Sequence, residues 1–369
     1  MKSNFVLFFI LSFIVCSCGN KKTNDKTEEN NIEEDSIFYI EHQPKRIKRD
    51  FPKAKKISEY PRTEFLPTLE NQIPKNKNAI YCVTLLYAWE ELRNTLSTTF
   101  EIPNELQNKQ KDLVLINNST SFKNVLGKSE YKVEGKIEDG VIIKAEFNKS
   151  LPFESNLYSF DNELIFQKQK VASFGVFGQD EDAEYIIHIL YYKNDDEFVI
   201  KLLPKDQLHE ILLFKTQENF KTLAQMNERL KENILKGKKE LYNSKLNWKF
   251  SFFEKDEVVI PKLNFNIENN FEEIEGNQIN AVSTNRKHSI LRAWQRTAFV
   301  LDEKGAEIES EFEMMADSVA IIGEEIEEEK PKPKKMRFDK PFFVLLKKVD
   351  ATNPYFVLYA NNTELMLKE

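Results

Sequence analysis

The chain has 369 residues, with 53 Lys+Arg against 60 Asp+Glu (net charge −7) and 41% hydrophobic residues, among them 29 Phe and 12 Tyr. That is enough chain for one large or two ordinary domains and enough apolar material for a sizeable core, and the acidic, mixed-sign charge gives no electrostatic reason to bind nucleic acid. Ten Gly form no G-x-G-x-x-G or phosphate loop and four His (His42, His188, His209, His288) form no H-E-x-x-H, which disfavours nucleotide cradles and the common zinc hydrolases.

At the amino terminus, Lys2 precedes the apolar residues 5–15 (FVLFFILSFIV). This is the charged start and short apolar region of a secretory signal, too short for a spanning helix of about 20 residues. It runs into Val15-Cys16-Ser17-Cys18-Gly19, which resembles the lipobox of bacterial lipoproteins. The resemblance implies a signal peptide over residues 1–17, Cys18 as the lipid-anchor residue, and a place in the cell envelope, on the outer membrane or the periplasmic face. An ordinary cleaved signal or a buried apolar segment is the alternative. Once Cys16 leaves with the signal, only Cys18 and Cys82 remain, so no disulfide is expected within one chain, and Cys82, among apolar neighbours, reads as an inert core thiol. Residues 18–50, rich in Asn, Glu and Lys, read as a flexible tether, its basic group 45–49 (KRIKR) solvated or touching anionic lipid.

The remainder, 51–369, reads as one domain. Residues 79–83 predict a short strand, and Leu85, Trp89, Leu92 and Leu96 then recur at helical spacing. Residues 101–140 are weakly patterned; 141–147 and 163–177 read as strands. The apolar runs 185–192 and 197–203, separated by Lys193-Asn194-Asp195-Asp196, form a hairpin signal. A helix is expected over about 216–236, closing near Gly237, followed by strands over 246–253, 257–260, 263–267, 294–301, 342–346 and 355–359. Strands and helices without βαβ regularity predict an α+β fold with antiparallel sheets. His188, His209 and His288 have no partner at ligand spacing, so neither a metal nor a cofactor is expected.

Two C-terminal blocks carry a family pattern. Residues 296–312 (RTAFVLDEKGAEIESEF) resemble the reactive-loop hinge of the serpins, a strand ending in an acidic residue, a Gly, and a run able to enter a β-sheet; residues 336–366 (MRFDKPFFVLLKKVDATNPYFVLYANNTELM) resemble the serpin C-terminal hairpin. Looser likenesses at 147–153, 185–208 and 257–265 fall in family order, although the family's tryptophan is missing near Ser150 and Leu151, and the roughly 45 residues between Leu96 and Val141 are fewer than the family carries. The resemblance implies a shortened serpin-like domain with a reduced set of helices, an exposed reactive loop over about 303–336 and a C-terminal hairpin over 337–369.

It also implies hinge residues Glu303, Gly305 and Ala306, and a reactive bond at Val319-Ala320, whose small and aliphatic neighbours suit an elastase-like serine protease. From Ala306 to Glu313 the sequence alternates strictly, placing Ala306, Ile308, Ser310 and Phe312 on one strand face and Glu307, Glu309, Glu311 and Glu313 on the other. Two outcomes follow: a loop that inserts into a sheet, or an edge strand or acidic loop that never does. The four carboxylates and the bulk of Ile308 and Phe312 weigh against insertion. The acidic run 324–329 and residues 330–335 (KPKPKK) read as extended and solvated. The function expected is a membrane-anchored protease inhibitor and not an enzyme; the alternative is a non-inhibitory lipoprotein of the same fold with a binding or structural role.

Overall fold

A computed structural model of the protein describes residues 51–137, 141–313 and 333–368. The signal, anchor residue Cys18, tether and the Val319-Ala320 bond therefore lie outside the described residues. The architecture is α+β, as the element pattern predicts. The six-stranded central sheet runs Lys55–Lys56, Leu263–Asn270, Trp294–Asp302, Gly305–Glu313, Val141–Pro152, Lys132–Ile137, antiparallel throughout except for the two-residue first pair. A seven-stranded sheet runs Thr63–Leu66, Asn78–Cys82, Phe356–Ala360, Phe342–Lys348, His209–Lys215, Glu197–Leu202, Ile187–Asn194. A four-stranded sheet (Lys335–Arg337, Glu257–Pro261, Gln169–Phe177, Tyr158–Phe166) and a small three-stranded one complete the set.

The central and seven-stranded sheets share one core. Phe299 meets Phe356 at 4.7 Å between ring centroids and Phe147 meets Tyr355 at 5.6 Å, tilted or edge-on as aromatic pairs prefer. Helix Thr84–Leu96 enters directly from the strand Asn78–Cys82 and buries Leu85, Leu86, Ala88, Trp89 and Leu92 against the central sheet. It ends without glycine: Ser97 turns into the left-handed region (φ 48°) and its N–H caps the last carbonyls.

Several elements depart from the sequence expectation. The 163–177 strand is a hairpin, Tyr158–Phe166 with Gln169–Phe177, whose two-residue turn holds Gln167 and Lys168 at positive φ, 44° and 73°. Tight hairpins need that backbone, which Asn-Gly usually supplies. Helix Leu223–Leu241 starts later than expected because Thr222 caps it, its Oγ1 accepting from Gln225 N at 3.1 Å. It also runs through Gly237, which is no cap: a Cβ there would lie 1.8 Å from Leu190 O, so the glycine lets the helix press onto strand Ile187–Asn194. The 246–253 strand is replaced by a 3-10 turn, Asn247–Phe250, set up by N–H groups of Leu246 and Asn247 on Asn243 O. Between Leu96 and Val141 lie the short helices Asn104–Gln107 and Lys111–Asn118 and the strand Lys132–Ile137.

Candidate functional site: the loop strand and its hinge

The acidic alternating segment lies inside a sheet, not at an edge. Residues Gly305–Glu313 form no exposed loop; they are the fourth strand of the central sheet, paired antiparallel with Trp294–Asp302 on one side and Val141–Pro152 on the other. Glu303 and Lys304 make the two-residue turn that starts it. Gly305 sits at φ +126°, and a Cβ there would meet Leu151 O at 2.3 Å and Pro152 Cα at 2.7 Å, so only glycine fits this hinge. The neighbouring chain is held to the turn by Phe153 N donating to Lys304 O and Leu157 N to Glu303 O, both 2.9 Å. Glu303 pairs with Lys262 at 2.8 Å. Burial pushes the Glu303 carboxyl up, but Lys262 and the residue's own backbone N–H outweigh it and hold the group below the usual carboxylate range.

The inner face of the loop strand is filled, not strained. Ala306, Ile308, Ser310 and Phe312 are all buried, Phe312 against the Phe271 ring at 5.8 Å. Ser310 closes a buried polar cluster: its Oγ lies 3.0 Å from Thr84 Oγ1 and 3.2 Å from Thr297 Oγ1, and Gln295 Nε2 donates to Thr297 Oγ1 at 3.1 Å. Cys82 lies under the same spot, where burial pushes its thiol up to about 11, with hydrogen bonds from Ser310 and Thr84 pulling the other way. It is the core thiol expected. On the outer face two of the carboxylates, Glu309 and Glu311, are answered by one residue of the adjacent strand. Arg296 stands directly opposite Glu311, donates to its Oε1 at 2.9 Å, and lies 3.7 Å from Glu309 Oε2. Glu307 is only 2% exposed.

Beneath the loop strand is a group that sequence reasoning missed. Lys149, the cross-strand partner of Ile308, is ion-paired with Glu130, which also accepts from Gly127 N at 2.6 Å and lies 2.9 Å from the buried His209 Nε2. Burial raises the Glu130 carboxyl, yet hydrogen bonds from His209, Lys149 and the Gly127 N–H overcome this and hold it far below the ordinary range. The partners come from three separate elements, so no local spacing announces them.

The C-terminal end of the loop region is anchored where a solvated segment was expected. Lys334 is fully buried and ion-paired with the equally buried Asp256, its ammonium 4.6 Å from the Phe253 ring centre and 5.6 Å from that of Trp248. The following strand Lys335–Arg337 pairs parallel with Glu257–Val259, and Arg337 grips Glu257 through two bonds of 2.7 and 3.0 Å. The strands Phe342–Lys348 and Phe356–Ala360 then form the expected C-terminal hairpin.

No family model matches the sequence, and no curated protein does. Among solved structures, the chain is similar in fold to a cleaved serpin, Serpin 42Da (12% identity, TM-score 0.37, covering 62% of this chain and 56% of that one). It is similar also to a loop-inserted, cleaved ovalbumin mutant (12%, TM-score 0.35, covering 73% and 63%) and to the thermophilic serpin tengpin in its latent state (10%, TM-score 0.34, covering 79% and 68%). The chain thus spans little more than half the length of the first of these.

Proposed function

We propose that the protein is a lipid-anchored, serpin-like inhibitor of serine proteases, in which cutting at Val319-Ala320 is followed by entry of residues 305–313 into the central sheet. The observation that carries this reading is the fit of Gly305–Glu313 between Trp294–Asp302 and Val141–Pro152, with both of its faces accommodated. Chemically, a protease Ser Oγ attacks the Val319 carbonyl carbon and the bond to the Ala320 nitrogen breaks. An acyl-enzyme results, and insertion of the freed loop carries it away from the leaving amine before water arrives. The small side chains at the bond suit an elastase-like enzyme, and Cys18 carries the acyl anchor in the envelope. The test is incubation of the protein with an elastase: a covalent complex on a denaturing gel, with a large rise in melting temperature after cutting, supports inhibition. For the anchor, incorporation of labelled palmitate should vanish in Cys18→Ser.

One observation favours a second reading, a non-inhibitory lipoprotein with a binding or structural role. The strand is already seated while Lys334–Arg337 keeps its place in the four-stranded sheet of the same continuous chain. Clean cleavage with no complex and an unchanged melting temperature would select that reading.

A further inference from the structure

Helix Leu223–Leu241 changes character along its exposed side. In its first half Glu228 and Glu232 are balanced by Lys231 (2.6 Å) and Arg229 (3.0 Å). In its second half Leu235, Lys238, Lys239 and Tyr242 recur at i, i+3, i+4 and i+7 and so share one stripe. Leu241 closes the helix, and Lys245 follows three residues after Tyr242. The apolar members stand in solvent, Leu235 at 58%, Leu241 at 47% and Tyr242 at 89% exposure. Lys238, Lys239 and Lys245 are exposed and have no carboxylate partner among the described residues, whereas the nearby Glu240 is buried and already held by Lys249 and Lys236. In a chain of net charge −7 this is a local excess of cations around side chains that gain by leaving water.

We propose that this end of the helix is a docking surface for an anionic phospholipid bilayer. Two features select a bilayer as the occupant. Lysines flanking exposed Leu and Tyr side chains are the composition of an interfacial contact, in which ammonium groups meet headgroup phosphates while the apolar groups sink to the acyl boundary. The inference also rests on the anchored reading: only residues 18–50 separate Cys18 from the domain, so an anchored domain stays within reach of the surface. Docking would hold the domain in one orientation on the surface.

The experiment uses the full chain carrying Asn243→Cys, an exposed position beside the patch, labelled with an environment-sensitive fluorophore and mixed with vesicles of phosphatidylcholine alone or with phosphatidylglycerol. Cys82 is buried, and the parent chain labelled in parallel supplies the background. A blue shift is expected with the anionic vesicles and not with the neutral ones. Lys238→Gln, Lys239→Gln and Lys245→Gln together should lower the docked-to-undocked ratio about 100-fold, about fivefold for each lysine. Melting of the triple variant, expected to be unchanged, checks that it folds. No shift with anionic vesicles, an equal shift with neutral ones, or a shift that survives the triple substitution overturns the proposal. Vesicle flotation separates the two readings: a chain that floats without a shift is anchored but undocked, and one that does not float refutes the anchor whatever the shift.

Discussion

Gly305→Ala should destabilise the protein well beyond the ordinary cost of replacing a glycine. At φ +126° an alanine sits in backbone space that is almost exclusive to glycine, a strain of about 1–3 kcal/mol. In addition the new Cβ would be 2.3 Å from Leu151 O and 2.7 Å from Pro152 Cα. These are backbone atoms of the neighbouring strand that cannot rotate away, so relief needs a shift worth about another 1–3 kcal/mol. Together about 2–6 kcal/mol are lost. With an unfolding entropy of about 2.1 cal/mol/K per residue, a domain of about 320 residues then melts about 3–9 °C lower. Gly276→Ala is the internal comparison: its φ is also positive, +79°, but a Cβ there meets nothing within 4 Å, so it carries strain alone and should move Tm by only about 1.5–4.5 °C. Calorimetry at one scan rate on the parent and both variants reads the difference. Equal melting of the two variants would refute the tight seating of the hinge on Val141–Pro152.

The anchor at the other end of the loop region gives a second prediction: Lys334→Met strands the buried Asp256 and should cost about 3–5 kcal/mol, much of it recovered in Lys334→Met/Asp256→Asn, as denaturant titration would show. Cys82, buried and with its thiol raised to about 11, should react with iodoacetamide at pH 8 at least about 100-fold more slowly than a free cysteine; a free-cysteine rate would contradict the packing of Ser310 above it. Glu130 has a lowered folded-state pKa, so its contribution is present above the ordinary value of 4.5 and is lost as pH falls below it. Stability should therefore decline below about pH 4.5, and Glu130→Gln should be less stable at pH 7 and show a shallower decline in acid-titrated melting curves.

What could be read from the sequence was what repeats locally. The alternation after Ala306 marked the inner face, Ala306, Ile308, Ser310 and Phe312, but not the burial of Glu307, and Gly305 was legible only through the resemblance of its segment to a serpin hinge. The apolar strands of the C-terminal hairpin were equally plain. The illegible features depend on partners distant in the chain. His209–Lys215 escaped notice because its apolar run, Ile211 to Phe214, has no alternation to mark it; it is buried on both faces between Glu197–Leu202 and Phe342–Lys348. Lys334 looked solvated within KPKPKK because nothing nearby reveals Asp256, 78 residues earlier. The Gln167-Lys168 turn was invisible because the residues that adopt its backbone are not those that favour it.

Arg296 answers part of the argument against seating an acidic strand inside a sheet. From composition alone, four glutamates in alternate positions weigh against entry into a sheet, since a carboxylate moved out of water needs a compensating charge. The neighbouring strand supplies that charge for two of the four: Arg296 is opposite Glu311, one pair along from Glu309, and is itself oriented by donating from Nε to Asn266 Oδ1 at 2.9 Å on the next strand. An alanine-rich strand would gain nothing from this guanidinium, whereas this acidic one makes a cross-strand ion pair with it. Acidity therefore serves as a register device. A slip of one residue would turn the carboxylates toward the core, and a slip of two would move Glu311 away from its partner. Arg296→Gln should accordingly weaken insertion, and adding Glu309→Gln and Glu311→Gln should restore it. Differential melting and protease protection of the loop strand would register both changes, and a triple variant no better inserted than Arg296→Gln alone would sink the charge-register account.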